Sequence, residues 1–359
     1  MLSQHPSREY DISEYYDILC PHDDWPEFLN RYLELPVLKR LAGVGLLCGT
    51  DWTPLYKNRF YYSRLDHSLG VALIVWHFTH DKAQTVAGLL HDISTPVFSH
   101  VSDFRKGDAL TQTATEEPTA RIIRGDAELG RLLAEDGLTP AQVEDYHIYP
   151  IADNEIPQLS ADRLEYMFPS GMALDGSWTM DEIRRCYNDL VILKNEEGRD
   201  ELGFQHVEIA ELYCEHFCMI GHILQLNENK LALHMLGQIM NQAEKAGVLS
   251  EDDFMKLSEK EVMERLDGLL RYARNDIISS RNDTLSKYYK TFRTMTSIEH
   301  TEHELTNDSY FCVNLNVKQR YINPLVNGTR LSEVSEKARR IIDDFKSFSD
   351  TPYGCVKLV

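Results

Sequence analysis

The sequence predicts a mainly α-helical protein with additional C-terminal helices and small β-hairpin and strand elements, and three observations predict it. Capping side chains recur along the chain, at Asp81, Thr139, Ser160, Thr179 and Ser258, where an oxygen can satisfy the free N–H groups of a first helical turn. Apolar residues repeat at helical spacing between them, as in Ala83, Val86, Ala87, Leu89 and Leu90. Turn-bounded, strand-like segments are few, and they fall after residue 190.

In chain order, residues 1–30 are expected to form an N-terminal arm. Asp81 opens a helix that ends near His91, because Pro96 stops it three residues after Ile93. Thr139 precedes Pro140, a residue suited to the first helical position. Ser160 caps the helix that carries Asp162, and Thr179 with Glu182 forms a capping box, as does Ser258 with Glu261. Val191 to Leu193 and Leu202 to Phe204 flank a polar, glycine-containing stretch, which predicts a hairpin and a boundary. From His206 to about His300 the pattern is helical again. Tyr310 to Val317 alternates like a half-buried strand, and residues 330–346 suit one last amphipathic helix. The expected division is therefore an arm (1–30), a metal-binding core (31–190), a helical extension (191–300) and a small α+β segment (301–359).

Composition narrows the function classes. With 359 residues, 43% hydrophobic and 26% charged, the chain has the make-up of a globular protein. Its formal charge of −20 argues against a nucleic acid polymer as partner, because that binding needs Lys and Arg to neutralise phosphates. Small phosphorylated ligands still suit local basic residues such as Lys57, Arg59 and Arg64. The longest strongly apolar stretch, Val71 to Phe78, is far short of the roughly 20 residues that cross a bilayer. Met1 to Tyr10 lacks the apolar centre of a signal peptide. Seven scattered cysteines without a Cys-x-x-Cys pair fit reduced thiols and a cytoplasmic location. No phosphate loop, dinucleotide fingerprint or nucleophile elbow occurs.

One constellation carries chemistry. Arg64-Leu65-Asp66-His67-Ser68-Leu69-Gly70 opens one apolar helix, and Gly88-Leu89-Leu90-His91-Asp92 closes the next. Neighbours on a helix point about 100° apart, so His91 and Asp92 reach one ion only where the helix breaks, at Ser94 and Pro96. Asp162 lies in the first turn of a capped helix, where compensating the helix dipole is its plain alternative role; Tyr166 shares its face. Two imidazoles and two carboxylates suit one divalent transition metal ion, Mn, Fe, Ni, Co or Zn, with Mg also accommodated. Asp51, Asp66, Asp103 and Glu116 are candidates to orient the bound imidazoles. Cys214, Cys218 and His222 share a helix face but read better as core packing than as a zinc site. His77 and His80 read as ordinary helix histidines rather than ligands of a second ion.

The stretch from Arg59 to Asp103, including Phe98-Ser99-His100, together with Asp162-Arg163 and Tyr166, resembles the HD-domain superfamily, and most closely its deoxynucleoside triphosphate triphosphohydrolase branch. Lys318-Gln319-Arg320-Tyr321 with Pro324 is faintly similar as well. The resemblance implies a five-helix HD core with added helices and a metal held by His67, His91, Asp92 and Asp162. It implies Asp92, His100 and Glu116 as catalytic groups. Arg64 and His100 would face phosphates, with Asp103 and Arg163 as further substrate contacts and Tyr166 beside the sugar. It also implies a homo-oligomer. The chain departs from that branch at Thr95 and at Thr115-Glu116, where the branch carries histidines; threonine does no acid–base work near neutral pH. The expected function is hydrolysis of a nucleotide or related phosphate ester or anhydride by a metal-activated water. The alternative is a nucleotide-binding regulatory protein with little or no turnover.

Overall fold

Local capping sets where the helices begin. In the computed structural model, which describes residues 12–107, 116–272, 281–305 and 309–359, Asp81 accepts from the Gln84 N–H and Ser160 from the Arg163 N–H. Thr179 with Glu182 and Ser258 with Glu261 close reciprocal boxes. The helices that matter for the site are α1 (Ser13–Leu19), α2 (Arg64–Thr79), α3 (Lys82–Leu90), α4 (Val101–Lys106), α5 (Ala161–Leu174), α6 (Val207–Gln225), α7 (Asn227–Lys245), α8 (Glu259–Tyr272) and α9 (Glu336–Ser347). The protein is mainly α, as predicted.

The predicted hairpin forms: β1 (Leu190–Lys194) pairs antiparallel with β2 (Asp200–Phe204). Apart from the strand expected from Tyr310, sequence reading missed the rest of the sheets. β2 continues in parallel to β5 (Leu325–Val326), which turns back into β6 (Thr329–Arg330). A second sheet orders β3 (Glu299–Thr301), β7 (Tyr353–Lys357) and β4 (Tyr310–Val313). These strands are two to five residues long, too short to show a period of two. The expected strand to Val317 stops at Val313, and the expected helix over 330–346 breaks at Ser335, whose extended backbone and side chain cap α9.

Two apolar cores organise the chain, and they do not follow the expected boundaries. The first gathers α2, α3, α5 and α6, then takes back α9 through Ala338, Ile342 and Phe345. The second joins α7 and α8 to β4 and β7, and includes Val97, Phe98, Val101 and Phe104 from the expected first unit. The change of core falls at Leu226, an extended residue between α6 and α7. Residues 12–30 are no appended arm. Tyr15, Leu19 and Leu29 are fully buried in the first core, which burial of this apolar surface stabilises. Cysteine reading also needs correction: the β4–β7 register sets Cys312 opposite Cys355, and the two form a disulfide. Among the described residues, no helix is long and apolar enough to cross a membrane.

Candidate metal centre

Three helix ends aim the donors at one point. Ser63 caps α2 and Asp66 completes its capping box, which places His67 one turn inside the helix, 1% exposed. Helix α3 stops at Leu90, and the tight turns that follow, Ile93 N–H to Leu90 O and Thr95 N–H to Asp92 O, let His91 and Asp92 turn toward the same side. Ser160 starts α5 and puts Asp162 in its first turn.

The Nε2 atoms of His67 and His91 stand 3.2 Å apart, and Asp162 Oδ1 lies 3.1 Å from His67 Nε2 and 3.9 Å from His91 Nε2. The outer nitrogens fix the tautomers. His91 Nδ1 lies 2.7 Å from Gly88 O, which can only accept, so that nitrogen carries the hydrogen. His67 Nδ1 donates to Glu165 Oε2 at 2.5 Å, while Glu165 Oε1 accepts from the Tyr15 and Tyr62 hydroxyls at 3.0 and 2.5 Å. Two imidazole Nε2 atoms and a carboxylate oxygen therefore face one another, an arrangement that repels unless a proton or a metal ion sits among them. This donor set fits a divalent metal ion, with Glu165 as the outer partner that orients His67. Burial works against a charge on His67, but Glu165 and Asp162 outweigh it and push its pKa up to about 10.

Asp92, the fourth expected ligand, stands at the edge of this group. Its Oδ2 is 3.6 Å from His91 Nε2 and 4.0 Å from His67 Nε2, but it takes a 2.8 Å bond from Arg64, and Oδ1 takes one of 2.7 Å from Thr95. Burial opposes its charge, yet Arg64 and His91 hold it well below the usual carboxylate range. Arg64 also donates to Ser99 Oγ at 3.0 Å. Phe98 and Ser99 reach that position through left-handed backbone, φ +61° and +53°, a conformation that costs energy for residues with a Cβ and that marks functional turns.

The remaining expected residues divide. His100 lines the cavity, with Nδ1 3.0 Å from Asp103 Oδ2; burial, Arg320 and Arg64 lower its pKa against Asp103. Asp103, expected at the substrate, sits behind His100, 1% exposed. Arg163 borders the cavity but is engaged by Asn154, Gln158 O at 2.9 Å and Asp153 at 3.3 Å, so it braces a loop. Tyr166 lines the cavity, and its buried hydroxyl has no partner among the described residues. Thr115 and the Glu116 side chain lie outside the described residues. Asp66 does not orient His67: its carboxylate serves Ser63 and Tyr16. Asp51 accepts from Asn58 away from the histidines.

Two functional candidates escaped sequence reading. Glu165 lies between Asp162 and Tyr166, and the sequence reading gave it no role. Tyr146 packs its ring 4.9 Å from that of His91 and donates to Asp162 Oδ2 at 3.3 Å, and no sequence signal marked it. His67, His91, Asp92, Tyr146 and Asp162 open on a cavity of about 990 Å³ that reaches from the first core to α7 and the segment 317–320, large enough for a drug-sized or nucleotide-sized ligand. The Cys214–Cys218–His222 face is core packing, with His222 against Phe345 and Phe348. His77 packs on Tyr187 and His80 bonds Asp24, both remote from the donors.

No family model matches the chain. It is similar to the uncharacterized protein YdhJ of Bacillus subtilis, 23% identical over 336 residues, which span 91% of this chain and 94% of that protein. It is also similar to the metal-dependent phosphohydrolase cns2 of Cordyceps militaris, 29% identical over 162 residues, 45% of each chain.

Proposed function

We propose that this protein is an HD-type, metal-dependent phosphohydrolase acting on a small phosphorylated substrate, a nucleotide or related phosphate ester or anhydride. The observation that carries the reading is the convergence of His67 Nε2, His91 Nε2 and Asp162 Oδ1 with both Nδ1 atoms already committed. Similarity to a protein named as a metal-dependent phosphohydrolase supports it.

His67, His91 and Asp162, with Asp92 alongside, would hold one divalent ion. Such an ion polarises a phosphoryl oxygen and lowers the pKa of water. Arg64 fixes Asp92 and brings a guanidinium to the phosphate side, where charge-assisted hydrogen bonds are strong. Asp103 orients His100 through Nδ1, leaving Nε2 to hold or move a proton at a substrate oxygen. Tyr166 offers its unpartnered hydroxyl to the ligand.

A second reading rests on Thr95, which is buried and bonded to Asp92 where a catalytic histidine would be useful. Under it the protein binds a nucleotide as a regulator and turns it over little. Phosphate, pyrophosphate and triphosphate release from nucleotides, screened with Mn, Mg, Ni and Co, separates the two. The enzyme reading expects release that disappears in Asp162→Ala. Release that persists in that variant overturns it. Metal binding with saturable nucleotide stabilisation and no product selects the regulator.

A further inference from the structure

We propose that His147 is a catalytic acid of this site, giving a proton from Nε2 to the alcohol oxygen that leaves when a phosphate ester is cleaved. This rests on the phosphohydrolase reading and deepens it: it names the bond that is cut and a proton donor that Thr95, buried and bonded to Asp92, cannot replace.

Asp145 sets the ring. It caps a single helical turn, Tyr146–Ile148, by accepting from the His147 N–H at 3.0 Å, and the same carboxylate oxygen lies 3.0 Å from His147 Nδ1. A carboxylate only accepts, so Nδ1 carries its hydrogen and Nε2 is the nitrogen left to exchange a proton. Nε2 stands 3.4 Å from Asp153 Oδ2, a long contact that a substrate oxygen can displace. The other Asp153 oxygen is taken by Ser160 Oγ at 3.2 Å and Arg163 at 3.3 Å. The ring is thus fixed from its backbone side while 47% of the side chain stays exposed, and it lines the cavity that His67, His91 and Asp162 share.

The same turn puts His147 beside the metal centre. The Tyr146 ring lies 4.9 Å from that of His91 and 4.5 Å from that of His147, and its hydroxyl donates to Asp162 Oδ2. One aromatic ring therefore separates His147 from the donors, a gap that a phosphate with its ester oxygen can bridge. The charges on this wall say which end of a substrate it receives. Glu144, Asp145, Asp153 and Glu155 all border the cavity here, and they disfavour a phosphate but not a neutral alcohol. Arg64 and His100 suit the phosphate. In the step, a water oxygen bonds to phosphorus and the bond from phosphorus to the ester oxygen breaks, its electron pair staying on that oxygen. The proton on His147 Nε2 moves to the same oxygen and gives the alcohol. One proton of the attacking water passes to solvent, and solvent returns one to Nε2, so ester and water become alcohol and phosphate with the ring unchanged.

The test compares two esters that differ in how much their leaving oxygen needs a proton, phenyl phosphate and para-nitrophenyl phosphate. Phosphate release is measured as kcat/KM on the full-length, manganese-loaded wild type, His147→Gln, Asp145→Asn and Asp162→Ala, with metal content and melting temperature for each. The proposal expects His147→Gln to lower the value for phenyl phosphate about a hundredfold and that for para-nitrophenyl phosphate by a factor at least about ten times smaller, with metal content unchanged. Asp145→Asn should show the same imbalance in weaker form, because it keeps an acceptor at Nδ1 and loses the charge. Equal losses on the two esters, as from a ring that only props the wall, overturn the proposal, and so does no loss on either or a wild type that cleaves neither. The readings fail separately: release that needs Asp162 and ignores His147 keeps the hydrolase and removes the acid. A wild type that releases phosphate from neither ester nor from any nucleotide removes both.

Discussion

The first core and the C-terminal sheet each carry a histidine among carboxylates, and they differ in how the imidazole nitrogens are used. Around His67 and His91 each Nδ1 is spent on an outer acceptor, Glu165 or Gly88 O, and the two Nε2 atoms meet 3.2 Å apart beside Asp162. At the other cluster His300 lies 2.9 Å from Glu228 through Nε2 and 3.2 Å from Asp350 through Nδ1. There a single, part-exposed imidazole points its two nitrogens at two different carboxylates and clamps α7 to the chain before β7. What sets the first apart is that two imidazole nitrogens and a carboxylate oxygen converge on one point, with Glu165 and Gly88 O orienting the rings from outside.

The comparison can be broken, and the largest effect should come from the donors. Asp162→Ala is expected to lower metal-dependent phosphate release by at least about a hundredfold, while His300→Ala leaves it within about twofold, because the clamp touches no part of the cavity. A steady-state release assay checks both. Next comes the outer carboxylate. Glu165→Gln should raise the metal dissociation constant about 10- to 100-fold, read by competition with a chelating dye. Gly70→Ala should act on the same contact, since a Cβ there would stand 2.4 Å from Glu165 Oε1. It should destabilise the fold by about 1–3 kcal/mol, measured by urea unfolding.

Smaller effects depend on pH. Burial, then Asp51, pushes the Glu259 carboxyl up to about 8, while it accepts from Gly45 N–H and Trp52 Nε1. Its folded pKa exceeds the unfolded one, so the native state binds more protons, and stability should fall by about 1 kcal/mol as pH rises from 7 to 9. Urea titrations of the wild type should show that slope, and Glu259→Gln should flatten it. At His300, Glu228 and Asp350 raise the pKa against partial burial. The clamp's contribution should therefore be complete below about pH 6.5 and fade as pH rises through the folded value. Solvent screening keeps it under about 1 kcal/mol, and His300→Ala should abolish that dependence.

What the sequence disclosed follows the range of each interaction. Helix starts were legible because a cap acts over three residues, as from Ser160 to Arg163 N–H. The grouping of His67, His91 and Asp162 was expected chiefly from the resemblance, and the structure brings these three together at helix ends. Asp66 was misjudged by adjacency: beside His67 in sequence, it serves the local box with Ser63 instead. Glu165 was not legible, since its role is a contact with a residue 98 positions earlier. Tyr15 reaches the same carboxylate across 150 positions, and this contact turned an expected arm into part of the core.

Metal stoichiometry by elemental analysis of the purified wild type, His91→Ala and His300→Ala tests the central claim most directly. The account predicts about one divalent ion per chain in the wild type and in His300→Ala, and none in His91→Ala. An ion retained by His91→Ala, or lost from His300→Ala alone, would contradict it.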